Sequence, residues 1–322
     1  MLKFVTALMV TAAIAAPAQS SMPSPRTILV HAHRGGRAYR PENTLASFKY
    51  GISVGADVLE LDLAVTKDNV LVVSHSPFLI QPAADSSDPR IATVLANERK
   101  CIGPPLPPGT YIHSLTLAQI KQYDCGSTTL PAFPHQVAVP HTTIPTFDEV
   151  LDLAPGNTVQ FNVETKIFPA RPEITPTPED FVAMIDKIVK QRHLESRVIL
   201  QSFDFRTLVA MKRLDPSIRL SALFGQAQYD GMMGLDDPEK GYAHIANVAG
   251  LRPGDFFSPD QSLVTAEEVQ WAHDHGMQVA PYTANTPEAW QKLANAHVDA
   301  IITDDPATLL AWLRAQHPPL HP

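Results

Sequence analysis

Residues 58–65 read Val58-Leu59-Glu60-Leu61-Asp62-Leu63-Ala64-Val65. Side chains alternate faces along a strand, so Glu60 and Asp62 share one face and Leu59, Leu61 and Leu63 take the other. Similar short apolar runs recur before and after it. They predict strands at Thr27–Ala32, Val58–Val65, Thr158–Glu164, Val198–Phe203, Ile218–Phe224, Asp255–Ser258, Gln278–Tyr282 and Ala300–Thr303. Helical periodicity lies between them, at Thr44–Val54, Phe147–Leu153, Pro178–Gln191, Phe205–Leu214, Ala266–His275, Pro287–Ala294 and Pro306–Arg314. Thr146 with Glu149 forms a capping-box pattern, and Asp204, Thr286 and Asp305 stand where N-caps belong. Strands alternating with helices pair in parallel through right-handed crossovers. Eight such units without a glycine-rich phosphate fingerprint favour a closed (β/α)8 TIM barrel, of class α/β, over an open doubly wound sheet.

One stretch breaks the rhythm. Residues 76–143 carry ten prolines and no sustained period. This reads as an insertion over the top of the barrel, after the second strand region. Its apolar run Phe78-Leu79-Ile80 either packs beneath the insertion or forms a lipid-contacting edge. Residues 226–254, rich in Gly, Met and Asp, read as a second loop on the same face.

The N-terminus has the form of an export signal. Lys3 precedes the apolar segment Phe4 to Ala16, and Ala16-Pro17-Ala18 is a small-x-small cleavage site. The expectation is a signal peptide over residues 1–18 and a single domain over 19–322, periplasmic or secreted; an uncleaved anchor is the alternative. No other stretch is long and apolar enough to span a membrane. The chain has two cysteines, Cys101 and Cys125, both inside the insertion. Thiols of an exported chain are expected to pair, which would staple the insertion, rather than stay free and separately buried. With 25 Lys+Arg against 33 Asp+Glu the net charge is −8. That balance argues against a nucleic-acid partner, which would call for clustered cations.

Charged residues gather at the predicted strand ends, where a barrel keeps its active site. The first strand ends in His31-Ala32-His33-Arg34, the second carries Glu60 and Asp62, and the third leads into Glu164-Thr165-Lys166. Three carboxylates buried together are prohibitive unless a cation neutralises them, and oxygen-only ligands suit Mg²⁺ or Ca²⁺. The competing reading is a structural ion network of Glu60, Asp62 and Glu164 with Arg34 and Lys166. His33, and His75 after the strand-like run Val70-Leu71-Val72-Val73, are the histidines placed beside this cluster as candidate acid and base.

These motifs occur in a recognisable order. His33-Arg34-Gly35-Gly36, Pro41-Glu42-Asn43-Thr44, Glu60-Leu61-Asp62 and His75 are followed by Ile144-Pro145-Thr146-Phe147-Asp148-Glu149. Then come Glu164-Thr165-Lys166, Gln201-Ser202-Phe203 and Ile301-Ile302-Thr303-Asp304-Asp305-Pro306. The series resembles the glycerophosphodiester phosphodiesterase family over nearly the whole mature chain. The resemblance implies a TIM barrel with one divalent cation, Mg²⁺ or Ca²⁺, on Glu60, Asp62 and Glu164. It implies an acid/base pair in His33 and His75, phosphate contacts from Arg34 and Lys166, and a pocket wall for the alcohol at Phe203 and Tyr282. The implied reaction cleaves a small-molecule glycerophosphodiester to an alcohol and sn-glycerol 3-phosphate. The chain departs from the family where Ser76-Pro77 follows the second histidine in place of Asp, and where Tyr282 stands in place of Trp.

The nearest rival is a sphingomyelinase-D-like or lysophospholipid-cleaving enzyme on the same barrel. An amidohydrolase-type metal hydrolase, suggested by His31-Ala32-His33, would need histidines at later strand ends. A non-catalytic phosphodiester-binding protein would not need His33 and His75.

Overall fold

The computed structural model describes residues 28–79, 101–107, 110–169, 171–230 and 241–316. The expected signal segment and Ile80 lie outside these residues. Nine strands form one sheet: β1 (Leu29–Ala32), β2 (Val58–Val65), β3 (Leu71–Val73), β4 (Gln160–Thr165), β5 (Val198–Ser202), β6 (Arg219–Phe224), β7 (Phe256–Pro259), β8 (Gln278–Val279) and β9 (Ala300–Thr303). Eight are parallel neighbours in the order β8-β7-β6-β5-β4-β2-β1-β9, and β3 pairs antiparallel on β2. Between β8 and β9 the backbone closes the circle. Asp299 N–H donates to the Val279 carbonyl and Ile302 N–H to that of Pro281, both at 3.0 Å. The result is the expected eight-stranded α/β barrel.

Ten helices are described: α1 (Leu45–Val54), α2 (Leu117–Ile120), α3 (Phe147–Leu151), α4 (Pro178–Gln191), α5 (Phe205–Leu214), α6 (Gln226–Tyr229), α7 (Gly241–Ala249), α8 (Ala266–Asp274), α9 (Pro287–Asn295) and α10 (Pro306–Gln316). Their starts follow the capping signals. Thr146 and Glu149 exchange the reciprocal capping-box bonds at 3.1 and 2.7 Å. Asp204, Thr286 and Asp305 each accept a first-turn N–H. In β2 the alternation separates two environments. Leu59, Leu61 and Leu63, fully buried, join the core between sheet and helices, while Glu60 and Asp62 face the barrel interior. Below them Ile199, Phe256, Ala280 and Ala300 form a separate apolar plug. The barrel is therefore packed at one end and polar at the other.

One expectation is corrected. Within residues 226–254 the structure has α6 and α7, not a simple loop. Tyr242, Ile245 and Ala249 recur at helical spacing and are fully buried against the barrel. The described part of the insertion packs on the loops that follow β1 and β4 as well as on the β2–β3 hairpin. It builds its own small core of Leu79, Cys101, Ile112, Leu115, Ile120, Tyr123, Cys125 and Ile144 against Ala64 and Val72 of the β2–β3 hairpin. Cys101 and Cys125 are disulfide-bonded within that core. Cross-linking a loop of this length contributes about 3 kcal/mol through the unfolded chain. Phe78 packs on Phe168 and Ile174, so Phe78 and Leu79 are covered and do not form a lipid-contacting edge. No helix among the described residues is long and apolar enough to cross a membrane.

Candidate active site

Register brings the carboxylates together. In the parallel pair of β2 and β4, Asp62 lies opposite Glu164, and Glu60 is two residues back on the same face. Ligand oxygens of Glu60, Asp62 and Glu164 all fall within 4.8 Å of one another, and all three residues are buried. Glu60 and Glu164 line a cleft of about 290 Å³ at the barrel mouth, with His33, Arg34, Arg37, His75, Lys166, Gln201, Phe203 and Tyr282, and Asp62 adjoins it through the carboxylate group. Every residue expected to act is thus in one place.

The turn after β1 does much of the positioning. Arg34 adopts a left-handed conformation (φ 50°), which aims its backbone N–H at Glu60 Oε2, 2.9 Å away. Gly35 follows at φ +83°, where a Cβ would stand 2.6 Å from Ser47 Oγ, so only glycine fits. The Arg34 side chain pairs with Glu42 at 2.9 Å and approaches Asp62 at 3.5 Å. Asn43, also left-handed, donates its amide to Asp62 Oδ2 at 2.7 Å. Across the barrel Gln201 Nε2 donates to Glu60 Oε1 at 2.9 Å, and Asn162 Nδ2 holds Gln201 Oε1 at 2.7 Å. Both oxygens of Glu60 and one of Asp62 are therefore oriented by fixed donors.

Lys166 Nζ lies 2.7 Å from Glu164 and 3.1 Å from Asp62. Burial raises the Glu60 carboxyl well above its ordinary range, and Asp62 and Glu164 push it further. Glu164 is raised to about 7, burial outweighing the opposing pull of Lys166. For Asp62 burial is overcome: Lys166, then His75 and Arg34, hold it far below the usual carboxylate range. Glu42, Glu60, Asp62, Glu164 and Asp304 outnumber Arg34, Arg37 and Lys166 by two charges in this mostly buried mouth. One divalent cation would balance that excess, and the oxygen-only donor set suits a hard ion. The residues fit a metal.

His33 Nδ1 lies 2.5 Å from Asp304 Oδ1, and Nε2 is 3.9 Å from Glu60 Oε2. Burial lowers the His33 pKa, opposed by Asp304. Burial would raise Asp304, but the imidazole brings it down to about 2. Asn285 in turn donates to Asp304 Oδ2 at 2.7 Å. Asp304 is thus an acceptor between two donors, His33 Nδ1–H and Asn285. The expected result of Asp304→Asn is a loss of about 10- to 100-fold in turnover with the fold intact, because an amide must turn its NH₂ toward one of those donors. Unchanged turnover on a diester with a poor leaving group would remove the positioning role.

Phe203 and Tyr282 meet edge to face across the cleft, their ring centroids 5.7 Å apart. The sequence reading passed over Asp304, Glu42, Asn43 and Gln201 as site residues although each lies in a quoted motif, and it missed Arg37 and Asn162 outright. His31 does not reach the cleft. It is buried in the barrel interior near Asn162 and edge-on to Phe256, its pKa lowered to about 3 by burial. The paired-histidine metal site of an amidohydrolase is therefore not formed.

Comparison with known proteins agrees with this geometry. Residues 33–308 match the glycerophosphoryl diester phosphodiesterase family. The chain is 29% identical over 299 residues to the glycerophosphodiester phosphodiesterase of Bacillus subtilis, covering 91% of this chain and 89% of that protein. Its fold is similar to a crystal structure from Silicibacter pomeroyi of a protein provisionally named a glycerophosphoryl diester phosphodiesterase. There the TM-score is 0.77 at 26% identity, over 91% of this chain and 95% of that one. It is also similar to an Oleispira antarctica phosphodiesterase solved with its product sn-glycerol-3-phosphate, with TM-score 0.66 at 21% identity over 88% of this chain and 96% of that one. With the family match spanning both His33 and Asp304, the chain belongs to the glycerophosphoryl diester phosphodiesterase family of enzymes.

Proposed function

We propose that this chain is an exported, divalent-cation-dependent hydrolase that cleaves glycerophosphodiesters to an alcohol and sn-glycerol 3-phosphate. The observation that carries the reading is the buried Glu60–Asp62–Glu164 group with His33 and His75 in the same cleft. The product named for the Oleispira antarctica structure supports the glycerol phosphate side of the assignment. Export rests on the sequence of residues 1–18 and accords with a disulfide in the insertion.

Glu60, Asp62 and Glu164 would hold Mg²⁺ or Ca²⁺. The bound cation supplies Lewis-acid polarisation of a phosphoryl oxygen and neutralises developing negative charge. Arg34 and Lys166 bind the remaining phosphoryl oxygens as charged donors. His33, with Nδ1–H given to Asp304, presents Nε2 as the base that takes the proton of the nucleophile, either water directly or the neighbouring glycerol hydroxyl, in which case a water then opens the cyclic phosphodiester to sn-glycerol 3-phosphate. His75 returns a proton to the leaving alkoxide. Phe203 and Tyr282 form the apolar wall against the alcohol.

Glycerophosphocholine and glycerophosphoethanolamine are expected to turn over faster than intact lysophospholipids. The cleft is small and its named apolar wall is short, and the chain's charge is −8. Product release across a panel of both classes, with Mg²⁺ and with Ca²⁺, measures this. A clear preference for lysolipids in vesicles would transfer the substrate to the lysophospholipid-cleaving reading and leave the assigned residues in place.

A further inference from the structure

Among the described residues, Arg37 is the one Lys or Arg lining the cleft with no role in the mechanism above. It is 8% exposed and lines the cleft beside Arg34 and His33. Its Nη2 lies 2.7 Å from Glu42 Oε2, while the other oxygen of Glu42 serves Arg34. Glu42 is thus shared by the two guanidiniums. The Arg37 charge is felt at the reacting groups: it contributes to lowering both His33 and Asp304.

The insertion holds this side chain from outside. Phe133 lies under the Arg37 guanidinium, 4.8 Å from ring centroid to Cζ. Gln136, buried, donates to the backbone carbonyls of Arg37 and Arg40 at 2.6 and 3.2 Å, and Val137 N–H donates to the Tyr39 carbonyl at 3.0 Å. His135 stacks on Tyr39, with centroids 6.1 Å apart. Phe133, Gln136 and Val137 do not themselves line the cleft. These contacts reach both the backbone of the 37–40 loop and the Arg37 side chain, so the segment fixes the backbone and the guanidinium plane of Arg37 together. A planar cation fixed by a carboxylate on one side and an aromatic face on the other is pre-organised for phosphoryl oxygens.

We propose that Arg37 is a substrate-binding residue that contacts the phosphoryl group, and that residues 133–137 of the insertion are its positioning element. The inference rests on the phosphodiesterase reading, so it is tested first by binding and only then by turnover. The probe is inorganic phosphate, titrated by calorimetry into the mature Mg²⁺-loaded protein. Arg37→Ala is expected to weaken phosphate binding about 10- to 100-fold, the range for losing a charged hydrogen-bond partner. Phe133→Ala, at a residue that does not itself line the cleft, is expected to weaken it about 3- to 10-fold. Arg37→Lys should recover only part of the loss, because an ammonium keeps the charge and not the fork. In turnover the loss should fall on KM more than on kcat, and by the same factor for glycerophosphocholine and glycerophosphoserine. Wild-type phosphate affinity in a folded Arg37→Ala protein overturns the proposal, as does a loss confined to the acidic headgroup. Should Arg37→Ala fail to fold, wild-type phosphate affinity in Phe133→Ala overturns the positioning role. Absence of turnover on every glycerophosphodiester with phosphate binding intact would count against the parent reading alone.

Discussion

Stripping divalent cations from the protein is expected to take phosphodiester turnover to background, with Mg²⁺ or Ca²⁺ restoring it. The reason is charge: three buried carboxylates within 4.8 Å cannot all stay ionised beside a phosphodiester without a counter-charge. A second readout needs no substrate. Glu164 is raised to about 7 from an ordinary 4.5, chiefly by burial. A carboxyl raised in the folded state contributes stability while protonated, below its unfolded value, and that contribution is lost as pH rises through about 7. The melting temperature of the cation-free wild type, measured relative to that of Glu164→Gln, should therefore fall from pH 5 to pH 8, and Mg²⁺ should raise the wild-type melting temperature more at pH 8. Glu164→Gln should flatten the pH dependence and weaken cation binding, keeping the shape of the side chain. Full activity after exhaustive chelation, with no metal by elemental analysis, would sink the assignment.

His33→Ala and His75→Ala are each expected to lose on the order of 10²–10⁴ in turnover on diesters with poor leaving groups. Both variants should still bind the cation, because neither imidazole belongs to the carboxylate group. An activated ester separates the two roles. Its leaving group needs no proton, so His75→Ala should recover much of its activity there, whereas His33→Ala should remain slow. Equal recovery of both variants would reverse or merge the acid and base assignments. Near wild-type turnover of either on glycerophosphocholine would remove that residue from the mechanism.

The parts of the molecule legible in its sequence are those set by short-range pattern. The period-2 run of β2 placed Glu60 and Asp62 on one face. The boundaries of α4 and α5 follow from Pro178 and Asp204, whose capping chemistry lies within one helical turn. What could not be read depends on the closed barrel. Asp304 becomes a partner of His33 only when β9 lies beside β1. Glu42 and Asn43 show their purpose only once the turn after β1 folds back under the carboxylates. Helix α7 is not evident because it directly follows the Gly, Met and Asp of 226–240, whose turn signals outweigh a nine-residue period. The insertion gave no pattern at all, since its small core is gathered around one disulfide and not around a repeating element. Its docking on the 37–40 loop is made largely of backbone carbonyls, which no side-chain pattern announces.

The bond between His33 and Asp304 joins residues 271 positions apart, one following the first strand of the barrel and the other following the last. A chain that stops short of Ala300 already contains the three clustered carboxylates and both histidines, yet His33 lacks Asp304 as its acceptor. Pairing of β9 with β1 is what brings that acceptor to His33, so full turnover should require the closed circle of strands. The same bond makes turnover a sensitive reporter of barrel closure. Loosening β9 should lower turnover before the rest of the molecule melts.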